Sequence, residues 1–328
     1  MHFENNAKIE EKLNNINIID VTLRDGGHQV NFDWPNKYYS QHIIEVNKLK
    51  SINFIELGYW KQTAKSKNKF YNLNEQDLEG FGSLTNSCKK FSIMIDCHYC
   101  SHNISDYPSK ENYGIGLVRV CSRSEDINSA VKLGEDIKKR TGSLLSMNFF
   151  NITNYTDSEL TKCVKLAANA GADFIYFADT HGTLDLLRDF EKYHNLSKII
   201  NDYKIVPGFH LHDHSGKAYL NYRILPYLNF GSTDVSLSGM GKGDGNLKLE
   251  HIIDPTENPN ILNLLENNRK LLNMKPSSYG LISSHYSITD YYANEAKKKG
   301  LSPSKFLEIA AKIDGRFKDV YNDEVLTK

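Results

Sequence analysis

The chain has 328 residues, 40% of them hydrophobic and 24% charged, and its 40 lysines and arginines match its 40 aspartates and glutamates in number. That length suits one large α/β barrel or two ordinary domains, and the lack of a basic excess argues against nucleic acid or a membrane surface as the partner. The chain has no apolar run near the ~20 residues of a membrane span, no apolar segment of a secretory signal at its start, and five scattered cysteines that we expect to be reduced; a cytoplasmic protein is therefore predicted.

Eight short apolar runs recur along the chain, and helix-like stretches lie between them. The runs are Ile16–Leu23, Ile52–Gly58, Phe91–Ile95, Ile115–Val120, Leu144–Phe149, Ala172–Ala178, Ile205–His210 and Thr233–Leu237. The amphipathic stretches include Asn36–Lys50, Glu125–Arg140, Asp157–Ala170 and Leu186–Ile200. Strands that alternate with helices predict a parallel sheet with crossover helices. Eight such units predict an α/β protein with a closed (β/α)₈ TIM barrel.

A doubly wound open sheet is the alternative, but the segment after the first run, TLRDGGHQ, lacks the glycine pattern of a dinucleotide-binding turn. We therefore divide the chain into a polar N-terminal leader (residues 1–15), a catalytic barrel (residues 16–275) and a C-terminal helical extension (residues 276–328). Within the extension, two or three helices are predicted, around His285–Lys299 and Ser302–Ile313.

Polar side chains at the ends of the predicted strands are the candidates for chemistry, because the active site of a barrel lies where its strands end. The first strand ends near Arg24, Asp25 and His28, and the glycines between the last two permit a sharp turn. An ordinary polar loop with an Arg24–Asp25 ion pair is the simpler interpretation of this segment taken alone.

The end of the seventh strand carries His210 and His212, which share one face of the strand because they are two residues apart. With 12 histidines in the chain this spacing alone is weak evidence. Together with Asp25 across the barrel mouth, the two imidazoles form a metal site that leaves positions open for substrate and water. His214 is expected to begin the next helix.

The eighth strand leads into a glycine-rich loop, Gly239–Asn246. Such a loop either is simply flexible or covers a substrate, with Asn246 binding the metal or orienting the residues that do. Three further polar residues end other strands: Thr180, which can donate to a substrate carboxylate, Glu56, which points at the mouth or pairs with Arg24, and Asn148. Arg119, in the fourth strand, is a further interior polar residue. For these four, pairing within the barrel and substrate contact are both open.

Cys97 and Cys100 follow the third strand with histidines nearby. A structural zinc site would need a second pair of ligands, and the remaining cysteines lie far away in sequence. A loop that lines the substrate site and an ordinary loop are the other two interpretations.

Three motifs together resemble the DRE-TIM metallolyase superfamily over about residues 16–254. They are D-x-T-L-R-D-G (Asp20–Gly26), H-x-H-D (His210–Asp213) and G-x-G-x-G-x-G-N (Gly239–Asn246). This superfamily contains 4-hydroxy-2-oxovalerate aldolases, 3-hydroxy-3-methylglutaryl-CoA lyases, and isopropylmalate and homocitrate synthases. His28, three residues after Asp25, is similar to the aldolases, whereas the synthases usually read D-G-E-Q there.

The resemblance implies roles for the candidate residues. Asp25, His210 and His212 would bind Mn²⁺ or Mg²⁺, with Zn²⁺ and Co²⁺ as alternatives. Arg24 would hold the 2-oxo acid and its enolate, and His28 would be the general acid/base. Thr180 would contact the carboxylate. Tyr279 lies nearest to the catalytic tyrosine of the aldolase C-terminal region.

The activity so implied is that of a metal-dependent aldehyde-lyase, which cleaves or forms a 4-hydroxy-2-oxo acid from a small 2-oxo acid, such as pyruvate, and an aldehyde. A Claisen-type acyltransferase that uses an acyl-CoA is the second hypothesis, and the missing glutamate after Gly26 argues against it. A non-catalytic barrel is the third. A homodimer and a dehydrogenase partner remain open.

Overall fold

The computed structural model describes residues 6–60, 68–87, 90–109, 115–123, 125–254, 256–271 and 278–327. Eight parallel strands pair in chain order and β1 pairs with β8, so the sheet closes into a barrel. The strands are β1 (Asn17–Asp20), β2 (Ile52–Tyr59), β3 (Phe91–Asp96), β4 (Leu117–Ser122), β5 (Leu144–Phe149), β6 (Phe174–Asp179), β7 (Val206–Leu211) and β8 (Ser232–Val235). The predicted TIM barrel is confirmed, and each predicted run overlaps one strand.

Helices surround the barrel because their apolar faces pack on the outside of the strands. They are α1 (Asn6–Asn14), α2 (Asn36–Asn47), α3 (Glu75–Thr85), α4 (Ile127–Thr141), α5 (Asp157–Asn169), α6 (Phe190–Asp202), α7 (Ala218–Ile224) and α8 (Asn260–Leu271). In α4 the buried residues Ala130, Leu133 and Ile137 recur at helical spacing, and the helix ends at Gly142 with φ +62°. Thr156 and Glu159 form a capping box at the start of α5.

The connection from β3 to β4 differs from the other six connections between strands. Within its described residues it contains a short 3₁₀ helix, Ile104–Asp106, and no α-helix. The Nε1 atom of Trp60 donates to the carbonyl of Asp106 at 3.1 Å, and the buried Tyr107 hydroxyl donates to the carbonyl of Ser101. The first bond attaches the segment to the end of β2, and the second lies within the segment.

One predicted strand boundary was wrong. Strand β1 ends at Asp20, three residues before the predicted end, because Asp25 N–H bonds to the carbonyl of Val21 and the chain turns there. The leader contains helix α1, whose residue Leu13 is buried in the main core. The stretch predicted around His285–Lys299 is interrupted where Ser287 adopts φ +52°, so one helix ends before it and another begins after it.

The C-terminal extension consists of α9 (Ser278–Tyr286), α10 (Asp290–Lys298) and α11 (Pro303–Ala310), followed by 3₁₀ turns. Its buried side chains form a hydrophobic cluster separate from the main core, with Tyr292 and Phe306 fully buried. It also contacts the loops at the mouth: His181 Nε2 lies 2.9 Å from Asp319 Oδ1, and a Cβ on Gly280 would lie 2.8 Å from Asp244 Oδ1. The extension thus packs on the end of the barrel where the strands finish.

None of the helices in the described ranges combines the length and the apolar character that a membrane crossing requires.

Candidate metal centre

Three donor side chains converge at the carboxyl ends of β1 and β7. Asp25 lies in the turn after β1, His210 lies in β7 and His212 directly follows it. All three are buried, and their ligand atoms lie within 4.8 Å of one another. His210 Nε2 is 3.7 Å from Asp25 Oδ2. The structure therefore brings together the three residues that the sequence predicted as metal ligands.

The orientation of His210 is set from β8. Its Nδ1 lies 2.8 Å from Asp234 Oδ2, which directs Nε2 toward Asp25. A carboxylate that receives the second N–H of a metal-binding histidine fixes its tautomer and ring orientation. Sequence reasoning missed Asp234, although its position opposite His210 on the adjoining strand is the signal that could have found it.

Asn246 lies beside the same carboxylate. Its Nδ2 donates to Asp25 Oδ2 at 2.8 Å and to the carbonyl of Met240 at 3.0 Å. The Oδ1 atom of Asn246 and the Nδ1 atom of His212 are buried and have no hydrogen-bond partner among the described residues. Buried polar atoms are normally satisfied, so these two orphaned acceptors fit a site that receives a cation.

The glycine-rich loop holds Asn246 close to Asp25. Gly245 adopts φ +96°, and a Cβ there would lie 2.0 Å from the carbonyl oxygen of Gly239, so only glycine fits. A Cβ on Gly241 would lie 2.5 Å from Asn246 Nδ2. These glycines are therefore required because other atoms approach the loop too closely for a Cβ, and not because the loop must be flexible.

A chain of buried ion pairs runs from Asp25 into the barrel. Arg24 contacts Asp25 through Nη1 and Glu56 through Nε, both at 2.5 Å. Glu56 also pairs with Arg119 at 3.1 Å, and Arg119 reaches Asp234 at 2.8 Å. Both carboxylate oxygens of Glu56 are therefore used by arginines. The predicted pairing of Glu56 with Arg24 is confirmed.

Asn148 belongs to the same interior layer. In the amide orientation that satisfies its neighbours, its oxygen accepts from Arg119 and its nitrogen donates to Ser146 Oγ at 2.6 Å. Its contacts are thus within the barrel. Arg24 Nη2, by contrast, makes no hydrogen bond to any residue in the described ranges, which leaves one donor of its guanidinium for a ligand.

The electrostatics keep Asp25 and His212 in their ligating forms. Burial alone would raise the pKa of Asp25, but Arg24 and the nearby imidazoles outweigh it and hold that pKa well below its usual range. Burial, followed by the neighbouring His210 and His214, lowers the pKa of His212 well below its ordinary value. A charged carboxylate and neutral imidazoles are the forms that bind metal.

His28 lies one turn beyond Asp25, in the 3₁₀ helix Gly26–Gln29. Its Nε2 is 3.4 Å from the hydroxyl of Tyr59, and its ring packs against Phe32 with centroids 4.9 Å apart. Burial, and next the positive charge of Lys242, lower the pKa of His28 to about 3. The imidazole is therefore neutral at ordinary pH, and its neighbour Tyr59 was not foreseen from the sequence.

The remaining predicted residues lie apart from this group. Thr180 Oγ1 accepts from the backbone N–H of Asn151 at 3.0 Å, which joins the loops after β5 and β6. Tyr279 packs against Phe306 in the extension, and its hydroxyl donates to the carbonyl of Leu301. No described contact brings Tyr279 to Asp25 or His28, so its catalytic role stays a prediction. His214 lies in a turn, and the next helix begins at Ala218, so the expectation that it begins that helix was wrong.

The cysteine loop shows no second set of ligands. Cys97 and Cys100 are buried free thiols, and burial raises the pKa of Cys97 to about 12. Among the described residues, Asp25, His210 and His212 are the one group with metal-binding geometry. Cys88 lies outside the described residues. The structure thus gives no support for zinc at Cys97 and Cys100.

Comparison with known proteins agrees with this site. The HMGL-like family matches residues 103–267, which is half of the chain. The chain belongs to the HMGL-like family. This confirms the resemblance to the DRE-TIM metallolyases, whose members use a divalent metal ion and include lyases and related synthases.

Individual relatives carry the names of enzymes with different reactions. The chain is 25% identical over 244 residues to a 4-hydroxy-2-oxovalerate aldolase from Geobacillus genomosp. 3, covering 73% of this chain and 69% of that protein. It is also 25% identical over 298 residues to an (R)-citramalate synthase from Sulfolobus acidocaldarius, covering 82% of this chain but only 54% of the synthase. These names point to small 2-oxo acids as the substrates of the relatives.

A solved structure shares the fold. The N-terminal domain of a candidate aldolase from Bacteroides vulgatus superposes with a TM-score of 0.71 at 22% identity, covering 86% of this chain and 97% of that one. At this identity the likeness concerns the barrel and its helices.

Proposed function

We propose that this HMGL-like protein is a divalent-metal-dependent aldolase that cleaves or forms a 4-hydroxy-2-oxo acid. The observation that carries the proposal is the placement of Arg24 and a neutral His28 beside the buried group Asp25, His210 and His212. This combination offers a cation site with a fixed positive charge and a proton acceptor beside it.

Asp25, His210 and His212 would hold the ion, with Asn246 Oδ1 as a fourth donor, and Mn²⁺ or Mg²⁺ is the ion we expect. When bound, such an ion supplies Lewis-acid polarisation of a keto oxygen. Arg24 is already ion-paired on two of its nitrogens and directs Nη2 to the substrate, where its fork suits a carboxylate or an enolate oxygen.

His28 would handle the proton of the 4-hydroxyl. In cleavage the imidazole accepts that proton, the oxygen forms the aldehyde carbonyl, and the electron pair of the C3–C4 bond passes to the enolate of the 2-oxo acid. A proton from water then adds at C3 of the enolate, and the His28 imidazolium returns its proton to water, which completes the products. The addition reaction reverses these steps, with His28 returning the proton to the oxygen on C4.

Other predicted residues support this arrangement. Thr180 accepts from Asn151 and keeps its own proton for the substrate carboxylate, since its bond to the carbonyl of Ala178 is long at 3.5 Å. Glu56 and Asn148 act through the arginines that they hold.

A Claisen-type acyltransferase is the second candidate, because the match to the citramalate synthase covers more of this chain than the match to the aldolase. That reaction joins an acyl-CoA to a 2-oxo acid and releases free thiol. The synthases carry glutamate where this chain has Gly27, which favours the aldolase. A thiol assay with acetyl-CoA and a panel of 2-oxo acids separates the two.

The test measures pyruvate release from racemic 4-hydroxy-2-oxo acids in the presence of Mn²⁺, together with deuterium uptake at C3 of pyruvate. We expect Asp25→Asn and Arg24→Lys to lose both activities. We expect His28→Ala to lose cleavage by roughly 10²–10⁴-fold, the usual contribution of a positioned proton-transfer group, and to retain exchange. His251→Ala, an exposed histidine, is the control. Metal-dependent thiol release without aldol cleavage would overturn the proposal in favour of the acyltransferase.

A further inference from the structure

A tyrosine at the end of β2 lies against the presumed proton acceptor. Tyr59 is the last residue of the strand and is only 8% exposed. Its hydroxyl lies 3.4 Å from His28 Nε2, and the two rings meet edge to face with centroids 6.2 Å apart. Hydrogen bonds within active sites are often long before the substrate binds and tighten in the complex.

The surroundings of Tyr59 fix its ring in place. Its carbonyl accepts from the N–H of Leu73 at 2.8 Å, and the rings of Phe32 and Tyr71 lie 6.0 and 5.3 Å away. The guanidinium of Arg24 lies 5.7 Å from the ring centroid. Among the described residues, His28 is the one hydrogen-bond partner of the Tyr59 hydroxyl.

His28 is therefore held on two sides. Phe32 packs against its ring, and Tyr59 contacts Nε2. Nδ1 has no hydrogen bond to a described residue and is the nitrogen left for a ligand. Phe32 adopts φ +59°, a conformation that is costly for an aromatic residue and that tends to persist at functional sites.

We propose that Tyr59 is a positioning residue that fixes the tautomer of His28, an inference that rests on the proposed aldolase function. Nε2–H of His28 donates to the Tyr59 oxygen, so the lone pair of neutral His28 is on Nδ1. In the cleavage reaction Nδ1 accepts the 4-hydroxyl proton. In the reverse reaction, the aldol addition, Nδ1 returns that proton. The bond from Nε2–H to Tyr59 persists in both protonation states of the imidazole. The phenol proton does not move.

The chemistry of the phenol suits this task. Burial raises the pKa of Tyr59 well above its usual range, so the hydroxyl remains neutral and offers oxygen lone pairs to Nε2–H. A carboxylate in this position would instead draw the proton of His28 toward it and favour the imidazolium. The neutral partner keeps His28 available as a base.

The experiment compares Tyr59→Phe with Tyr71→Phe. The first removes the hydroxyl on His28 and keeps the ring, and the second removes a hydroxyl from the neighbouring ring. We expect Tyr59→Phe to lower kcat for aldol cleavage by roughly 10- to 100-fold, a part of the total contribution of His28, with metal affinity, KM and C3 exchange of pyruvate unchanged. Tyr71→Phe should stay within about twofold of the wild type.

Two further measurements distinguish a positioning role of Tyr59 from a merely structural one. In the double variant His28→Ala/Tyr59→Phe the loss should equal that of His28→Ala alone, because Tyr59 acts through His28. Nitrogen-15 NMR of His28 should show the Nε2–H tautomer in the wild type and a tautomer mixture in Tyr59→Phe, a readout that stands even if the protein proves not to be an aldolase. Wild-type turnover in Tyr59→Phe, an additive double variant or an unchanged tautomer would each overturn the proposal.

Discussion

Asp234 connects the presumed metal ligand His210 to the interior ion pairs. It accepts from His210 Nδ1 and from Arg119 with the same oxygen. Burial alone would raise the pKa of Asp234, but Arg119 outweighs it and lowers that pKa, so the group is a carboxylate. A single residue thus sets the direction of His210 and neutralises an arginine that no solvent reaches.

Replacing Asp234 by Asn should weaken metal binding by roughly 10- to 100-fold, the usual effect of losing a carboxylate behind a ligating histidine. The amide carries no charge for Arg119 and can present its NH₂ group to His210. Calorimetric titration with Mn²⁺ measures the affinity. Asp173→Asn, which removes a half-exposed partner of Lys138, is the control. Unaltered affinity in Asp234→Asn would mean that His210 needs no such support.

The low pKa of His28 has a consequence for stability. In the unfolded chain this imidazole protonates near pH 6.5, but in the folded protein it protonates only near pH 3. The unfolded state therefore binds more protons between these values, and stability falls as the pH is lowered through that window.

We expect the free energy of unfolding, measured by urea denaturation with chelator present, to fall between pH 6.5 and pH 5 by up to roughly 2 kcal/mol more in the wild type than in His28→Gln. His251→Gln, at an exposed site, should retain the wild-type slope. Equal slopes for the wild type and His28→Gln would show that His28 titrates alike in both states.

The residues of the site were predictable to different degrees. Asp25, His210 and His212 stood out because titratable side chains at strand ends are costly without a ligand. Tyr59 did not, because its role arises only when the 3₁₀ turn carries His28 back over β2. Residue spacing along a chain contains no information about such a contact between two loops.

The sequence predicted which strands form better than it predicted where they end. Short apolar runs that alternate with helical patterns located all eight strands, whereas β1 was predicted too long because its apolar pattern continues through Leu23 after the pairing ends. The absence of an α-helix in the described part of the β3–β4 connection was likewise not foreseen, since Trp60 stabilises that segment through a tertiary bond to the carbonyl of Asp106.

The tight packing of the glycine-rich loop can be tested by substituting one of its glycines. Gly241→Ala would place a methyl group 2.5 Å from the amide of Asn246, which must then shift away from Asp25. Metal affinity should fall by roughly tenfold, as for other residues that support a ligand. Titration with Mn²⁺ tests this.

Gly80 supplies the matched control for Gly241. It lies within helix α3, and a Cβ there would meet nothing within 4 Å. Gly80→Ala should raise the free energy of unfolding by about 0.4–1 kcal/mol because it restricts the unfolded chain, with metal affinity unchanged. A loss of metal affinity in both variants would contradict a specific role of the loop in metal binding.

At the scale of the whole molecule, the buried ionic network is unbalanced. Arg24 and Arg119 face three carboxylates, Asp25, Glu56 and Asp234, which leaves one excess negative charge in the barrel. A divalent cation would reverse this to one positive charge, and a monoanionic 2-oxo acid would then neutralise it. The network is thus matched to an ion and a monoanionic acid together.

Removal of metal should therefore lower the thermal stability. An ion present at 100 times its Kd stabilises the folded state by ~2.7 kcal/mol, so chelation should lower Tm by a few degrees. Differential scanning fluorimetry with and without chelator tests this, and Asp25→Asn should show no difference between the two conditions. A wild-type Tm that is insensitive to both chelator and added Mn²⁺ would contradict the presence of a metal site.

The closure of the barrel also determines when this centre can form during folding. Asp25 and Asn246 are 221 positions apart in the chain, yet they share a hydrogen bond across the junction where β1 meets β8. Contacts of such separation are slow to form because the intervening chain must be ordered first. Until β8 pairs with β1, Asn246 cannot reach Asp25, so we expect the full metal affinity to require closure of the barrel.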